Sequence, residues 1–366
     1  MDDIVIVDMA ALTALGDLNE TWQGLLAGRS GLVDSPFPSS LGKCRVGSVP
    51  GLAEEKGMLP SLVALLERLA AMLPDMGKDC SVVVGSTKGA VDELLVHGAP
   101  WQGQPWDLGR LVADSFGIRR QGEVVSAACA SGTIAIINGI QQLLTREADV
   151  VTAVGIDLVS RFVVNGFLRL QALASGPCRP FDRERDGLCL GEGAAALVLM
   201  RFEDAKQHDR RILARIKGWG AACDAVHITA PCRQAGGLLA AIRQAIGEDS
   251  DQVGAINGHG TGTIYNDAME MHAFSTLWPG GIPFHSVKGG IGHCLGAAGV
   301  IETALAVKTL EAECIPPTVG LRAPEQGMAM LDGQQAQPLL KPSILTCNSG
   351  FGGINAALLL GRPKMA

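Results

Sequence analysis

Val124-Val-Ser-Ala-Ala-Cys129-Ala-Ser-Gly-Thr-Ile134 sets a cysteine between a short apolar run and a segment of small residues. The run Val124 to Ala127 reads as a strand. Ala130 to Leu144 reads as a helix that is apolar or small nearly all round, so it should be buried. Cys129 therefore stands at a strand-to-helix turn. A helix start carries roughly half a positive charge, which favours a thiolate. Its first amides lack partners within the helix and can hold an oxyanion. A free cysteine by itself is more often a small buried hydrophobe. The nucleophile reading depends on what lies downstream.

Two histidines in glycine-rich turns lie there: Asn257-Gly-His259-Gly-Thr-Gly-Thr263 and Lys288-Gly-Gly-Ile-Gly-His293. Cys294 to Leu310 reads as a second helix of small and apolar residues, with His293 at its start. The two halves run in loosely the same order. Strands are expected at Ile4–Met9, Ser81–Gly85, Asp149–Gly155 and Ala194–Met200, then at Ile212–Gly218, Val253–Asn257, Pro283–Val287, Ser343–Cys347 and Asn355–Leu360. Helices are expected at Leu18–Ala27, over residues 61–73 and at Gly237–Ile246. Two buried small-residue helices, one per half, would meet between two sheets. The halves divide as 1–200, with the cysteine, and 201–366, with the histidines. Their sequence identity is too weak to prove a duplication.

Composition agrees with a large buried globule. Of 366 residues, 47% are hydrophobic and 18% charged, which leaves little room for disorder. A net charge of −7 argues against a nucleic-acid binder. The ten cysteines form no Cys-x-x-Cys pair, so no structural zinc site is expected and a reducing, cytoplasmic setting is. The N-terminus lacks a basic n-region, and no apolar stretch is long enough to span a membrane. Neither a dinucleotide-binding glycine fingerprint nor a Walker pattern occurs.

The chain resembles the β-ketoacyl-[acyl carrier protein] synthases of the thiolase superfamily over nearly its whole length. Six stretches carry the resemblance: the N-terminal Thr13-Ala-Leu-Gly16 with Trp22 and Gly28-Arg-Ser-Gly31; Cys129-Ala-Ser-Gly; Arg179-Pro-Phe-Asp182 with Arg185-Asp-Gly187 and Gly191-Glu-Gly193; His259-Gly-Thr-Gly-Thr with Asp267 and Glu270; Lys288, His293 and Gly296-Ala-Ala-Gly299 with Glu302; and Asn348-Ser-Gly-Phe-Gly-Gly353 with Asn355. The resemblance implies an α/β fold of five layers, α-β-α-β-α, built from two similar halves. The Cys–His–His set is similar to that of the elongating synthases; the initiating type has an asparagine where His293 stands. Cys129 would accept an acyl group, and His259 and His293 would hold the enolate left by malonyl decarboxylation. Lys288 would position His293, with Glu302 as its counter-charge and Asp267 and Glu270 completing a charge network. Thr261, Thr263 and Gly352 would line a pantetheine channel, and Gly290, Gly292 and Gly353 would let the arm pass. No metal and no bound cofactor is implied, because phosphopantetheine arrives on the acyl carrier protein. The partners implied are that carrier protein and a second subunit, either identical or a related synthase-like chain.

Two departures stand out. The family usually has a further phenylalanine after the serine of the last motif, as a pocket gate and oxyanion amide; here Gly350 or Phe351 must serve. The chain is also shorter than usual, with residues absent between Leu173 and Arg179. Two other readings remain at this point. One is a non-catalytic chain-length-setting subunit, although such partners usually lose the cysteine. The other is a coenzyme A-dependent thiolase with Cys347 as its second thiol. His97, His208, His227, His272 and His285 lack comparable contexts and read as surface or packing residues. A metal held by His259 and His293 would want for a third ligand.

Overall fold

The computed structural model describes residues 3–37, 42–52, 62–91, 106–325 and 335–363. Ten strands run continuously through the large sheet: β1 (Ile4–Thr13), β2 (Ser81–Gly85), β3 (Glu123–Val125), β4 (Val150–Asp157), β5 (Gly193–Arg201), β6 (Ala214–Cys223), β7 (Val253–Asn257), β8 (Phe284–His285), β9 (Ser343–Gly350) and β10 (Ile354–Gly361). Their spatial order is β8-β7-β9-β10-β6-β1-β5-β4-β2-β3. Most are near-continuous apolar runs because both faces are covered.

The pairing pattern is symmetric about the middle. From β1 outward, β5 and β4 add antiparallel, then β2 and β3 parallel. From β6 outward, β10 and β9 add antiparallel, then β7 and β8 parallel. The expected separate sheets are thus joined edge to edge, through Ile4–Ile216, Val5–Arg215 and Ile6–Ala214.

Among the described residues, the helices of nine or more residues are α1 (Leu18–Leu26), α2 (Leu62–Ala70), α3 (Asp107–Ser115), α4 (Ser131–Leu144), α5 (Arg161–Arg169), α6 (Gly236–Ile246), α7 (Ile264–Leu277) and α8 (Ala298–Ala312). Helices α4 and α8 touch each other and strands of both halves, so they form the central layer. Helices α2 and α3 cover the outer face of the first half, and α6, backed by α7, that of the second. This is the five-layer arrangement. In α2, Leu62, Leu65, Leu66 and Leu69 are buried as their spacing requires.

The small residues of the central helices have a direct cause. A Cβ added at Gly132 would lie 2.7 Å from the Gly296 carbonyl oxygen, and one at Gly299 would lie 2.4 Å from the Thr133 amide nitrogen. The helices can approach this closely only with glycine at the contact. The second helix begins later than its sequence suggests. Leu295–Ala297 is a tight 3-10 turn, with Leu295 at φ 51°, and α8 starts at Ala298. His293 therefore lies on a loop before the helix. Lys288–Ile291, within the expected glycine-rich turn, form a short helical turn just past the Pro283–Val287 segment expected as a strand. Helices α3, α5 and α7 are additions to the sequence reading.

Candidate active site

Cys129 sits on a sharp turn between β3 and α4. Ala128 adopts φ 49°, and α4 begins two residues after the cysteine. Ser131 fixes the turn: its hydroxyl accepts the Ala127 amide at 2.8 Å and donates to the Ala128 carbonyl at 2.5 Å. The thiol lines a cavity of about 350 Å3. The expectation of a lowered thiol is reversed. Burial pushes it up to about 12; Lys288 and the Phe351 amide, which bonds the sulfur, pull the other way, and Asp157 and Glu302 add to the rise. Removal from water outweighs the helix start, whose first turn lies beyond the cysteine. At rest Cys129 is a thiol.

Both histidines line the same cavity. Their rings stand edge to face, centroids 4.9 Å apart at 86°. One ligating atom from each of Cys129, His259 and His293 lies within 4.8 Å of the others. The third ligand that the sequence failed to offer a metal is thus Cys129 itself. Burial, with Lys288 adding, holds both rings well below 6.5, so both are neutral. The His293 backbone is clamped: its amide donates to the Cys189 carbonyl at 2.7 Å and its carbonyl accepts the Gly191 amide at 2.9 Å.

Behind the rings runs a buried polar chain. Lys288 Nζ is paired with Glu302 Oε1, each side chain 1% exposed. Glu302 Oε2 accepts from Asn348 Nδ2 at 2.7 Å, and the same amide group faces His259 Nδ1 at 3.3 Å. Asn348 Oδ1 accepts the Thr133 hydroxyl at 2.5 Å, which fixes the amide's orientation. His259 Nδ1 then accepts a hydrogen bond, and its proton sits on Nε2. Asn348 and Thr133 were missed as site residues from sequence. Only the placement of Asn348 in a glycine-rich motif hinted at it.

Asp267 and Glu270 do not extend the Lys288 pair. Both lie on α7 and receive the amides of the His259 loop. Glu270 takes those of His259 and Gly260, each at 2.6 Å, and Asp267 those of Thr261 at 3.0 Å and Phe181 at 2.7 Å. Burial, with Asp267 adding, pushes Glu270 up to about 8. Their place is to shape the histidine loop.

Thr261, Thr263, Gly350 and Phe351 line the cavity, as does Gly353; Gly352 does not, and its amide bonds the Ile228 carbonyl at 2.6 Å. Gly290 and Gly292 are packing glycines, not channel residues. Added Cβ atoms would meet Leu25 and the Leu190 carbonyl, each at 2.5 Å. Cys347 is fully buried and does not line the cavity. His285 is buried, and His208, His227 and His272 are exposed. His97 falls outside the described residues.

Residues 69–205 match the β-ketoacyl synthase N-terminal domain, and residues 213–322 match the β-ketoacyl synthase C-terminal domain. The chain belongs to the β-ketoacyl synthase family. It is 29% identical to the 3-oxoacyl-[acyl-carrier-protein] synthase 2 of Vibrio cholerae, over 98% of this chain and 99% of that one. A β-ketoacyl synthase from Burkholderia phymatum superposes with a TM-score of 0.86 at 27% identity, with all of both chains covered. The ishigamide ketosynthase/chain length factor gives 0.86 at 27% identity, with 99% of each chain covered. Among the described residues, no helix of this synthase is long and apolar enough to cross a membrane.

The shortened last motif of the synthase is accommodated at the mouth. Phe351 stacks on Phe167, ring centroids 5.9 Å apart at 21°, and both line the cavity. Gly350 lies against the nucleophile turn, where an added Cβ would stand 3.1 Å from the Cys129 amide. The short stretch before Arg179 is tied by the Ala174 amide to the carbonyl of the cavity-lining Leu188 at 2.8 Å.

The synthase's Lys288–Glu302 pair gives a stability prediction. Glu302→Ala leaves a buried ammonium without its carboxylate, which costs about 3–5 kcal/mol. The urea midpoint should fall accordingly, and adding Lys288→Met should recover most of the loss. An unshifted midpoint in Glu302→Ala would mean that Lys288 finds another counter-charge.

Proposed function

We propose that this synthase catalyses decarboxylative Claisen condensation between an acyl group held on Cys129 and malonyl-acyl carrier protein. The single observation that carries this reading is the convergence of one thiol and two neutral imidazoles on one cavity. In the first half-reaction the Cys129 sulfur attacks the acyl thioester. The proton leaves through the His293 ring, whose Nδ1 has no partner among the described residues, and ends on the departing pantetheine sulfur. The Cys129 and Phe351 amides hold the oxyanion. In the second, the bond between the malonyl α-carbon and its carboxylate breaks. CO2 departs, and the electron pair moves to an enolate oxygen. Nε2–H of His259, set by Asn348, and the ring of His293 stabilise that oxygen. The enolate carbon attacks the acyl-Cys129 carbonyl. The β-ketoacyl carrier protein leaves with the Cys129–acyl bond broken, and the released thiolate takes a proton from solvent.

No resident metal or cofactor is needed for these steps, since the carrier brings the pantetheine. Lys288, which already opposes positive charge on both imidazoles, also disfavours a dication between them. The acyl carrier protein is the partner, and the protein pairs either with itself or with a related subunit. A ketosynthase from Xenorhabdus doucetiae, 26% identical with a TM-score of 0.81, is in complex with its chain length factor, which supports the second arrangement. The presence of Cys129, His259, Lys288 and His293 favours the catalytic role in such a pair. The setting is a reducing, cytoplasmic one.

The test is the mass of the carrier-bound product after incubation with acyl- and malonyl-carrier protein. A β-ketoacyl chain two carbons longer than the primer is expected, with far slower product formation from the coenzyme A thioesters. Equal use of coenzyme A would favour the thiolase reading, and no product without a second subunit's cysteine the chain-length-setting one.

A further inference from the structure

Two further thiols meet behind the histidines. Cys178 and Cys189 are each 1% exposed and belong to one small apolar cluster with Leu32 and Ala174. Their side chains interact directly. The Cys178 sulfhydryl donates to the Thr261 carbonyl at 3.4 Å, with the Cys189 thiol beside it in the same cluster. Cys189 Sγ in turn lies 3.6 Å from the Gly176 carbonyl. The condensation cycle uses neither thiol.

We infer that Cys178 and Cys189 form a redox-sensitive dithiol that closes to a disulfide under hydrogen peroxide and thereby misaligns the two histidine loops. The contacts supply the coupling. The Cys189 carbonyl holds the His293 amide at 2.7 Å, and Thr261, the other contact of Cys178, belongs to the His259 loop. Between the cysteines lie Gly187 and Leu188 of the cavity wall, and Phe181, whose amide bonds Asp267 at 2.7 Å. Drawing two sulfurs from contact to about 2.05 Å, with loss of the S–H donated to Thr261, strains both ends of this loop.

The chemistry favours Cys189 as the attacking sulfur. The Cys178 S–H, then the Arg45 guanidinium, hold its thiol below the ordinary range, against its burial. Its sulfur attacks one peroxide oxygen, the O–O bond breaks, and hydroxide departs to become water. Cys178 then displaces the sulfenic oxygen as a second water, so two thiols are oxidised and one peroxide is reduced. The cover is Ser175-Gly176-Pro177, with Ser175 and Pro177 exposed and open space around Gly176.

The activity readout rests on the synthase reading, but the bond itself does not. The experiment uses Cys129→Gln, which removes the cavity thiol and mimics the acylated state. After peroxide, intact mass should fall by two hydrogens, and peptide mapping should join Cys178 to Cys189. Malonyl-carrier decarboxylation should drop about tenfold or more, since displacements near 1 Å cost catalysis that much. Dithiothreitol should restore it. Adding Cys178→Ser should abolish both changes. Free, alkylatable Cys178 and Cys189 after peroxide would overturn the proposal, as would a bond from Cys189 to neighbouring Cys44, or a mapped Cys178–Cys189 bond without loss of decarboxylation. Absence of decarboxylation even in reduced Cys129→Gln would count against the enolate reading, and the mapping would still decide the dithiol.

Discussion

Cys129→Ala is expected to abolish acyl-enzyme formation and to lower condensation by about 10^4-fold or more, the scale of losing a covalent nucleophile. The variant should fold, because alanine is smaller than the buried cysteine it replaces and leaves the backbone amides in place. Incubation with radiolabelled acyl-carrier protein checks it directly. Label retained on the alanine variant after denaturation would assign the nucleophile elsewhere. The raised thiol adds a second signature. With Cys129 pushed up to about 12, alkylation of the free enzyme by iodoacetamide should be slow near neutrality and rise steadily with pH, with no plateau between about pH 7 and pH 9. An early plateau would mean that the first amides of α4 and Lys288 outweigh burial.

That reversal shows where sequence reasoning stopped. The strand–cysteine–helix order, the two glycine-rich histidine turns and the paired small-residue helices were legible because each is local. The five-layer fold came with the family resemblance that these motifs carry. What decides the thiol is the depth of the cavity around it, which depends on segments far apart in the chain. The Asn348 hub was hidden for the same reason, since its bonded partner Thr133 lies 215 positions away. Helix α7 was hidden differently. Its buried face includes Asp267 and Glu270, which receive loop amides, so the apolar stripe that betrays a helix is broken by the residues that give it a role. The late start of α8 followed from Leu295 taking a left-handed turn, which a run of small residues does not announce.

His259→Ala and His293→Ala are expected each to lower malonyl decarboxylation by about 10^2–10^3-fold, the usual loss when one donor to a developing oxyanion is removed. Acyl transfer to Cys129 should survive in part. The two effects separate in a Cys129→Gln background, where decarboxylation is read without transfer. His293→Asn should retain more activity than His293→Ala, because an amide still donates a hydrogen bond. His259→Asn should retain less advantage, since it breaks the Nδ1 contact with Asn348. The pH dependence follows from the direction of the shifts. An imidazole donates to the enolate while neutral, and protonation would add a charge that burial and Lys288 both oppose. Because both rings are held well below 6.5, lowering the pH from about 8 to about 6 leaves them neutral, and the decarboxylation rate should stay level over that range. A rate that halves near pH 6.5 would show an ordinary, solvated histidine. Equal loss of both half-reactions, together with an earlier thermal midpoint in each alanine variant, would show that the rings hold the two loops and leave the enolate to other groups.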